Sequence, residues 1–435
     1  MKYAFTHGKL LDGTKDMQVQ EGLCVLTDGE RISAIVPEGA PLDGYTVVDL
    51  QGRYLMPGLI NMHVHLAGSG KPQKKQLDNE KLVRTILSTA LTRKIAYQMV
   101  CGFARTELMS GVTTIRTVGG LADFDTRLRD EIAAGRRVGP RILAANEGIS
   151  VPGGHMAGSV AVAAHSIPEA LAQLDAAEAQ GVDLIKLMIT GGVMDAKEKG
   201  VPGEMKMPPE MIKAVCDRAH AAGYRVAAHV ESPQGVRAAL ENGVDSIEHG
   251  AKPDAEILRL FKDTGAFLCT TISPALPYAL FDRSITHATE VEQYNGTIVF
   301  EGIIDCAKAA LANDIPVVLG NDVGCPWITQ YDFWRELFYF HKYTGASNAF
   351  ALYTATSRSA ELAGIGSETG TVAPGKCADL IVTAANPLED LRALRHVGMV
   401  MARGQLTGHP RFKRRPEVEA QLDRFLTDES GAAAR

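Results

Sequence analysis

The residues of this sequence best suited to chemistry are histidines, a lysine and an aspartate that lie in or after short apolar segments. His63 and His65 follow such a segment two residues apart, so in an extended chain both imidazoles point to the same side. Imidazole suits zinc and similar divalent metals, and a carboxylate completes such sites. The sequence therefore predicts a metal site made of His63, His65, Lys186, His229, His249 and Asp322.

Lys186 is the unusual member of this set, because it lies within the largely apolar run Asp183–Ile189. An ammonium group among apolar neighbours is costly and must be paired, neutralised or modified. Our hypothesis is that Lys186 is N-carboxylated by CO2. That modification would turn the amine into an anionic oxygen ligand able to bridge two metal ions.

The elements that must position these residues are eight short apolar segments, most of them separated by helical patterns such as Ile167–Gln180, Pro209–Ala222 and Gly235–Glu241. The eight predicted strands are Leu59–Met62, Thr113–Thr117, Arg141–Ala144, Leu184–Met188, Val226–His229, Ser246–His249, Phe267–Thr271 and Val317–Asp322. This alternation predicts an α/β fold, a closed (β/α)8 TIM barrel. The strand ends of such a barrel meet at one mouth, where catalytic groups collect.

Both chain ends consist of short strands and turns, including a hairpin around Asp28-Gly29. We expect residues 1–57 and 360–411 to form one small β-sandwich domain, residues 58–359 the barrel, and residues 412–435 a C-terminal helix and tail. Residues 67–81 and 272–297 are predicted to be long loops after strands, at the catalytic face.

Composition excludes several classes of protein. The chain has 45 Lys and Arg against 51 Asp and Glu, a net charge of −6, which argues against a nucleic-acid partner. No run approaches the ~20 apolar residues of a membrane-spanning helix. The seven cysteines are scattered and odd in number, which is typical of reduced cytosolic thiols. We expect a cytoplasmic protein that acts on a small molecule and forms a homo-oligomer.

Several motifs resemble those of the metal-dependent amidohydrolase superfamily, in the order PGLINMHVHL, IKLM, AAHVES, SIEHGA, VVLGNDVG and GTVAPGKCADLIV. Within it, SGVTTIRTVGG, LRDEIAAGRRVGPRIL, ISVPGGH and ENGVDSIEHGA resemble the imidazolonepropionase-like and Xaa-Pro dipeptidase (prolidase) branch. The resemblance implies that the six residues bind two divalent ions, zinc first among the candidates, with carboxylated Lys186 as the bridge. It also implies that His155 polarises the substrate carbonyl.

The function implied by the resemblance is hydrolysis of a C–N amide bond by a hydroxide held between the two ions, with Asp322 moving the proton to the leaving nitrogen. The leading substrate is a dipeptide or an N-acyl amino acid. The alternative is a cyclic amide, as in imidazolonepropionase or lactam hydrolysis. Deamination of a heterocycle is disfavoured, because deaminases of the superfamily usually lack the lysine ligand. The remaining hypothesis is a non-catalytic barrel that serves as a binding module.

Four further residues are candidates for substrate contact, and a fifth, Trp327, is considered with the two tyrosines among them. Glu231 stands where relatives that grip a substrate carboxylate often carry Tyr, and a Glu there would repel a carboxylate or attract an amine. Arg116 is expected either to bind substrate or to buttress the barrel. Tyr278 and Tyr331 either line the substrate cavity or serve in packing, and the same alternatives hold for Trp327.

Overall fold

Strands and helices alternate along the middle of the chain, and strands dominate both ends. The computed structural model describes residues 1–73 and 78–427. In chain order, the strands β1 to β19 are Lys2–Thr6, Lys9–Leu10, Leu23–Asp28, Arg31–Pro37, Thr46–Asp49, Tyr54–Pro57, Leu59–Val64, Val112–Thr117, Arg141–Ala144, Gly148–Ser150, Ala161–Ala163, Ile185–Met188, Val226–Val230, Ser246–His249, Phe267–Thr270, Val317–Leu319, Leu380–Thr383, Val397–Ala402 and Gln405–Gly408. The helices α1 to α14 are Asn79–Leu87, Ala90–Met109, Phe124–Ala133, Ile167–Ala179, Pro209–Ala221, Pro233–Glu241, Ala255–Thr264, Ile272–Leu280, Arg283–Thr286, Glu290–Ala312, Phe333–Thr344, Asn348–Thr354, Ser357–Leu362 and Pro416–Leu422. Two 3-10 helices span Leu391–Arg395 and Asp423–Phe425.

The eight strands predicted for the middle of the chain are confirmed, as β7, β8, β9 and β12 to β16. The three helices predicted there, now α4 to α6, are confirmed to within two residues at each end. Helix α6 begins at Pro233 rather than Gly235, because the side chain of Ser232 accepts a hydrogen bond from Gly235 N–H and proline suits the first helical position.

The middle strands form an α/β fold of two parallel sheets, with orders β7-β8-β9 and β11-β10-β12-β13-β14-β15-β16. Backbone hydrogen bonds also run from one sheet to the other. Asp322 N–H donates to His63 O (3.0 Å), and Asp183 N–H donates to Ala144 O (2.8 Å). The carboxyl ends of β7 and β16 therefore lie side by side, and with them the first and last predicted metal ligands.

The two chain ends pair with each other in two further sheets. Strand β17 from the C-terminal part pairs antiparallel with β6 from the N-terminal part in the sheet β19-β18-β17-β6-β2, beside a second sheet of order β4-β3-β1-β5. A small apolar core joins residues of both ends, among them Phe5, Val25, Leu380 and Met401, each buried. Because this core needs both ends, neither end buries its apolar strand faces alone.

The prediction of a long loop over residues 272–297 is wrong, since this stretch folds as α8, α9 and the start of α10. Buried Glu336 accepts hydrogen bonds from the N–H groups of Ile272 (2.7 Å) and Ser273 (2.8 Å), which caps the first turn of α8. That cap comes from 63 residues away, so the local pattern with its prolines could not reveal it. In the other predicted loop, α1 begins at Asn79, and residues 74–77 lie outside the described part of the chain.

The helix predicted near the C-terminus corresponds to α14, Pro416–Leu422. Residues 428–435, part of the predicted tail, lie outside the described residues. In the described ranges, no helix combines the length and apolar character that crossing a membrane requires.

Candidate metal centre

Five histidine rings form a continuous row near the carboxyl ends of the parallel strands. The ring centres of His65 and His63 are 5.2 Å apart, and His63 and His249 follow at 4.8 Å. His249 and His229 are 4.7 Å apart, and His155 stacks on His229 at 3.9 Å with nearly parallel planes. The structure thus brings together all the histidines predicted for the site.

In His63 and in His65, the ring nitrogen that faces away from Asp322 contacts a hydrogen-bond acceptor. His63 Nδ1 lies 2.8 Å from a carboxylate oxygen of Glu248, and His65 Nδ1 lies 2.8 Å from Gly119 O. Since carboxylate and carbonyl oxygens only accept, both Nδ1 atoms carry the proton and both Nε2 atoms keep a free lone pair. Metal-binding histidines are commonly oriented in this way, by an acceptor that holds the N–H of the other ring nitrogen.

His249 and His229 are held in the same way, but through different nitrogens. His249 Nδ1 lies 2.7 Å from Thr271 Oγ1, which leaves Nε2 free. His229 Nε2 lies 3.3 Å from Gly191 O, which leaves Nδ1 free. Four imidazoles therefore each have one ring nitrogen without such a partner, and in His63, His65 and His229 that nitrogen is unprotonated because the other one faces an oxygen that only accepts.

Burial keeps these imidazoles in the form that binds metals. Desolvation lowers the pKa of His63, His65, His229 and His249, and the nearby Lys186 charge acts in the same direction on each. A neutral imidazole is the ligand form, so the protein environment prepares the site before an ion arrives.

Asp322 and Lys186 complete the set with polar atoms that have no partner. Asp322 Oδ1 lies 3.3 Å from His65 Nε2 and 3.5 Å from His63 Nε2, yet it accepts no hydrogen bond. Lys186 is 1% exposed and its Nζ has no hydrogen-bond partner. Such orphaned buried groups cost free energy unless something compensates them.

A divalent cation fits this donor set. Ligand atoms of His63, His249 and Asp322 all lie within 4.8 Å of one another, the combination of nitrogen and carboxylate donors that zinc and similar ions take. Burial lowers the pKa of Lys186 to about 8, which increases the uncharged fraction of its amine near neutral pH.

Two of the predicted ligands lie on backbone of unusual conformation. His249 has φ 69° and Asp322 has φ 54°, the left-handed region that residues with a Cβ rarely adopt. Neither residue is a glycine, so the surrounding structure must hold both conformations at a cost of about 1–3 kcal/mol each. Strain of this kind clusters at functional sites, because it places a side chain where relaxed backbone would not.

Arg116 lies beneath the histidines, which favours the buttressing alternative. It is 4% exposed and donates to Met62 O (2.8 Å), Ser246 Oγ (3.0 Å) and Glu248 Oε1 (2.7 Å). Glu248 in turn holds His63, so Arg116 acts on the site through that carboxylate. Sequence analysis missed Glu248, although SIEHGA places it directly before His249.

His155 lies on the segment between the short strands β10 and β11, and an unexpected partner orients it. Its Nδ1 lies 2.5 Å from Asp195 Oδ2, and Gly192 N–H donates to the same oxygen (2.8 Å). Burial alone would raise the pKa of Asp195, but the hydrogen bond and charge of His155 hold it below its ordinary value. His155 Nε2 is left free to donate or accept. Asp195 was missed because nothing in the sequence links it to a residue 40 positions away.

The three remaining candidates occupy different surroundings. Glu231 lies within 4.8 Å of His229 and His249, measured between their ligand atoms. Burial, followed by the charges of Asp195 and Asp322, raises the pKa of Glu231 to about 8.

The two tyrosines differ from each other. Tyr278 lines a cavity with Met194 and Trp327, and its hydroxyl lies 3.2 Å from the sulfur of Met194. Tyr331 is buried and accepts a hydrogen bond from Arg415 N–H (2.6 Å), so its hydroxyl holds the C-terminal segment. Tyr278 and Trp327 therefore line a small cavity whose lining includes none of the predicted metal ligands, whereas the packing alternative is favoured for Tyr331.

Comparison with known proteins gives consistent matches over most of the chain. The model of the Amidohydrolase family matches residues 54–407. Among curated proteins, an ochratoxinase of Aspergillus niger is 24% identical over 371 residues, which cover 78% of this chain and 72% of that protein.

Among solved structures, a proposed prolidase from Bifidobacterium longum is 35% identical with a TM-score of 0.85, covering 97% of this chain and 98% of the other. A Xaa-Pro dipeptidase with bound methionine in its active site is 29% identical with a TM-score of 0.82, covering 94% and 100%.

Proposed function

The chain belongs to the amidohydrolase family and is a hydrolase of C–N bonds, and we propose that it is a dinuclear, prolidase-like hydrolase of dipeptides or N-acyl amino acids. The observation that supports this best is the set of four imidazoles, each with one free nitrogen, around the orphaned Lys186 Nζ and Asp322 Oδ1. The closed form of the barrel belongs to the same proposal. It is supported by the hydrogen bonds between the two parallel sheets, from Asp322 to His63 and from Asp183 to Ala144.

The residues that would hold two divalent ions are His63, His65, His229, His249, Asp322 and carboxylated Lys186. When bound, such ions supply a Lewis acid for the substrate carbonyl and make water acidic enough to react near neutral pH. Zinc is the first candidate, because nitrogen-rich sets with a carboxylate suit it.

Asp322 is the base of the proposed reaction. Its Oδ1 accepts no hydrogen bond and lies between the Nε2 atoms of His63 and His65. It would accept a proton from the attacking water and deliver it to the leaving nitrogen. A carboxylate can perform both steps because it accepts a proton as a base and its conjugate acid is strong enough to protonate an amine.

His155 supplies the hydrogen bond to the oxygen on which negative charge develops. Asp195 accepts the hydrogen bond of His155 Nδ1, so His155 would donate from Nε2 in its doubly protonated form, which the Asp195 carboxylate stabilises; stacking on His229 at 3.9 Å fixes the plane of the ring. A donor held in place before the reaction stabilises the transition state without reorganisation, and one such donor is typically worth about 3–4 kcal/mol.

The pairing of Asp195 with His155 gives a specific prediction. We expect Asp195→Asn to lower kcat by roughly tenfold to a hundredfold, less than the ~10²–10³-fold loss expected for His155→Ala, because the donor remains but its orientation and tautomer are no longer fixed. Steady-state kinetics of both variants and of the double variant measure this. If Asp195→Asn lowers the rate further in a chain that already lacks His155, Asp195 does not act through that ring.

A cyclic amide remains the second candidate substrate, and Glu231 is the observation that favours it. Glu231, next to His229 and His249, offers no positive charge to a substrate carboxylate in the same place, and a cyclic amide need not carry a carboxylate. The Xaa-Pro dipeptidase with bound methionine supports the dipeptide reading instead.

The experiment that tests the function is a hydrolysis screen of dipeptides, N-acyl amino acids and lactams with the purified protein, before and after removal of metal by a chelator. We expect turnover of at least one dipeptide or N-acyl amino acid, loss of that turnover on chelation, and its return with Zn²⁺. Turnover confined to lactams would select the alternative. Less than one metal ion per chain and no effect of the chelator would favour a binding module.

The other expectations are carried forward as part of the proposal. They are a cytoplasmic location, a homo-oligomer, a small-molecule amide or dipeptide substrate with no nucleic-acid or membrane partner, and the domain boundaries given above.

A further inference from the structure

Glu231 has surroundings that neither catalysis by Asp322 nor carbonyl binding by His155 explains. It follows β13, two residues after His229, and its N–H donates to Thr190 Oγ1 (3.1 Å). This anchor turns the side chain toward the histidine row. The ligand atoms of His229, Glu231 and His249 then lie within 4.8 Å of one another.

The carboxylate oxygen Oε2 of Glu231 is buried and has no hydrogen-bond partner. An isolated carboxylate in such a place is costly unless a cation or donor compensates it. The charged groups acting most strongly on Glu231 are themselves carboxylates, Asp195 and Asp322. No cationic side chain is among these groups, so Glu231 is compensated either by a proton on its carboxyl or by a cation from outside the described side chains.

The two histidines beside Glu231 are suited to share a cation with it. His229 is held through Nε2 by Gly191 O, and His249 through Nδ1 by Thr271 Oγ1, so each has its other nitrogen free. Two neutral imidazoles and one carboxylate form a recurrent ligand set for divalent transition metals.

We propose that Glu231 is a direct ligand of the second metal ion, together with His229 and His249, a role that rests on the proposed function. This adds a carboxylate to the six ligands inferred from the sequence. Carboxylate oxygens favour harder ions than imidazole does, so Glu231 makes the second site more receptive to Mn²⁺ than the histidines alone would.

Binding of a substrate amine is the rival role for Glu231, and access decides against it. Oε2 has almost no solvent contact, and the backbone of Gly192 lies close to it, since a Cβ on Gly192 would be 3.5 Å from Oε2 and 3.0 Å from His155 Cε1. An ammonium group arriving with substrate would have to displace these groups. An ion held by His229 and His249 would lie within reach of Glu231, because the ligand atoms of all three residues are within 4.8 Å of one another.

The test is a Mn²⁺ titration of the chelator-treated full chain, with free Mn²⁺ measured by electron paramagnetic resonance. We expect two ions per chain in the unaltered protein. Glu231→Gln should weaken the binding of one ion at least about tenfold and leave the binding of the other ion unchanged. Glu231→Asp, which keeps a carboxylate, should restore part of the loss, and Glu241→Gln, at an exposed position on α6, should match the unaltered protein.

Two Mn²⁺ ions bound by Glu231→Gln with unchanged constants would overturn the proposal. If its relative rate on amine-bearing substrates also fell, Glu231 would be assigned to substrate instead. Thermal unfolding of the metal-free variants separates loss of a ligand from loss of the fold. If Glu231→Gln does not fold, the test is the comparison of Glu231→Asp with the unaltered chain, because the shorter side chain should bind the ion less well. Equal Mn²⁺ dissociation constants for these two proteins would then contradict the proposal. Absence of tight Mn²⁺ or Zn²⁺ binding by the unaltered protein would contradict the proposed function itself.

Discussion

Lys186→Met is expected to abolish most turnover, by roughly 10³-fold or more, equivalent to about 4 kcal/mol of transition-state stabilisation. Lys186 is 1% exposed, and its amine has no partner among the side chains around it. If CO2 converts that amine to a carbamate, the group supplies the anionic oxygens that hold two cations near each other. Methionine preserves the buried volume and removes the amine, so the variant isolates the chemistry from the packing.

Metal content and ¹³C NMR provide the measurement. After incubation with ¹³C-labelled bicarbonate, the unaltered protein should show a carbamate signal that Lys186→Met lacks, and the variant should hold fewer metal ions per chain. Lys308→Ala, at an exposed position of α10, is the matched control and should retain signal, metal and rate. An active Lys186→Met protein with both metal ions would contradict the carboxylated-lysine hypothesis.

Asp322→Asn is expected to lower kcat by about 10²–10⁴-fold while most of the metal is retained. The amide keeps an oxygen in nearly the same position, but it can neither take a proton from water nor pass one to the leaving nitrogen. The φ of 54° at this position suits asparagine, which tolerates left-handed backbone better than most residues. A loss of rate would therefore report proton transfer rather than misfolding.

Metal analysis and steady-state kinetics of the same preparations check this result. Asp43→Asn, at an exposed position in the N-terminal part of the chain, is the control for the change from acid to amide. Turnover of Asp322→Asn within a few fold of the unaltered rate would remove Asp322 from proton transfer. Loss of all metal from the variant would instead make Asp322 chiefly a ligand.

Periodicity and residue type predicted the parts of the fold that repeat. Short apolar strands such as Ile185–Met188 and Val226–Val230 contrast strongly with the helices between them, so their positions could be recognised from local sequence. The location of His229 and His249 at strand ends followed from the same pattern. Since parallel strands of one barrel point their carboxyl ends to the same side, their convergence could be predicted before any contact was known.

Local sequence failed where a distant residue decides the conformation. The helix Ile272–Leu280 contains Pro277 and resembles a loop, but its first turn is capped by Glu336. A cap supplied across the tertiary structure can outweigh weak local propensity, because it satisfies buried N–H groups that would otherwise remain unpaired.

The sequence alone determined which side chains could act as metal ligands, because a ligand's chemistry belongs to the residue type and its strand position follows from a local pattern. Only the tertiary structure decided which nitrogen of each imidazole has a hydrogen-bond partner, that Arg116 donates to Glu248, and that Asp195 pairs with His155. Those outcomes depend on hydrogen bonds of about 3 Å between residues far apart in the chain, and such distances are fixed by packing in three dimensions.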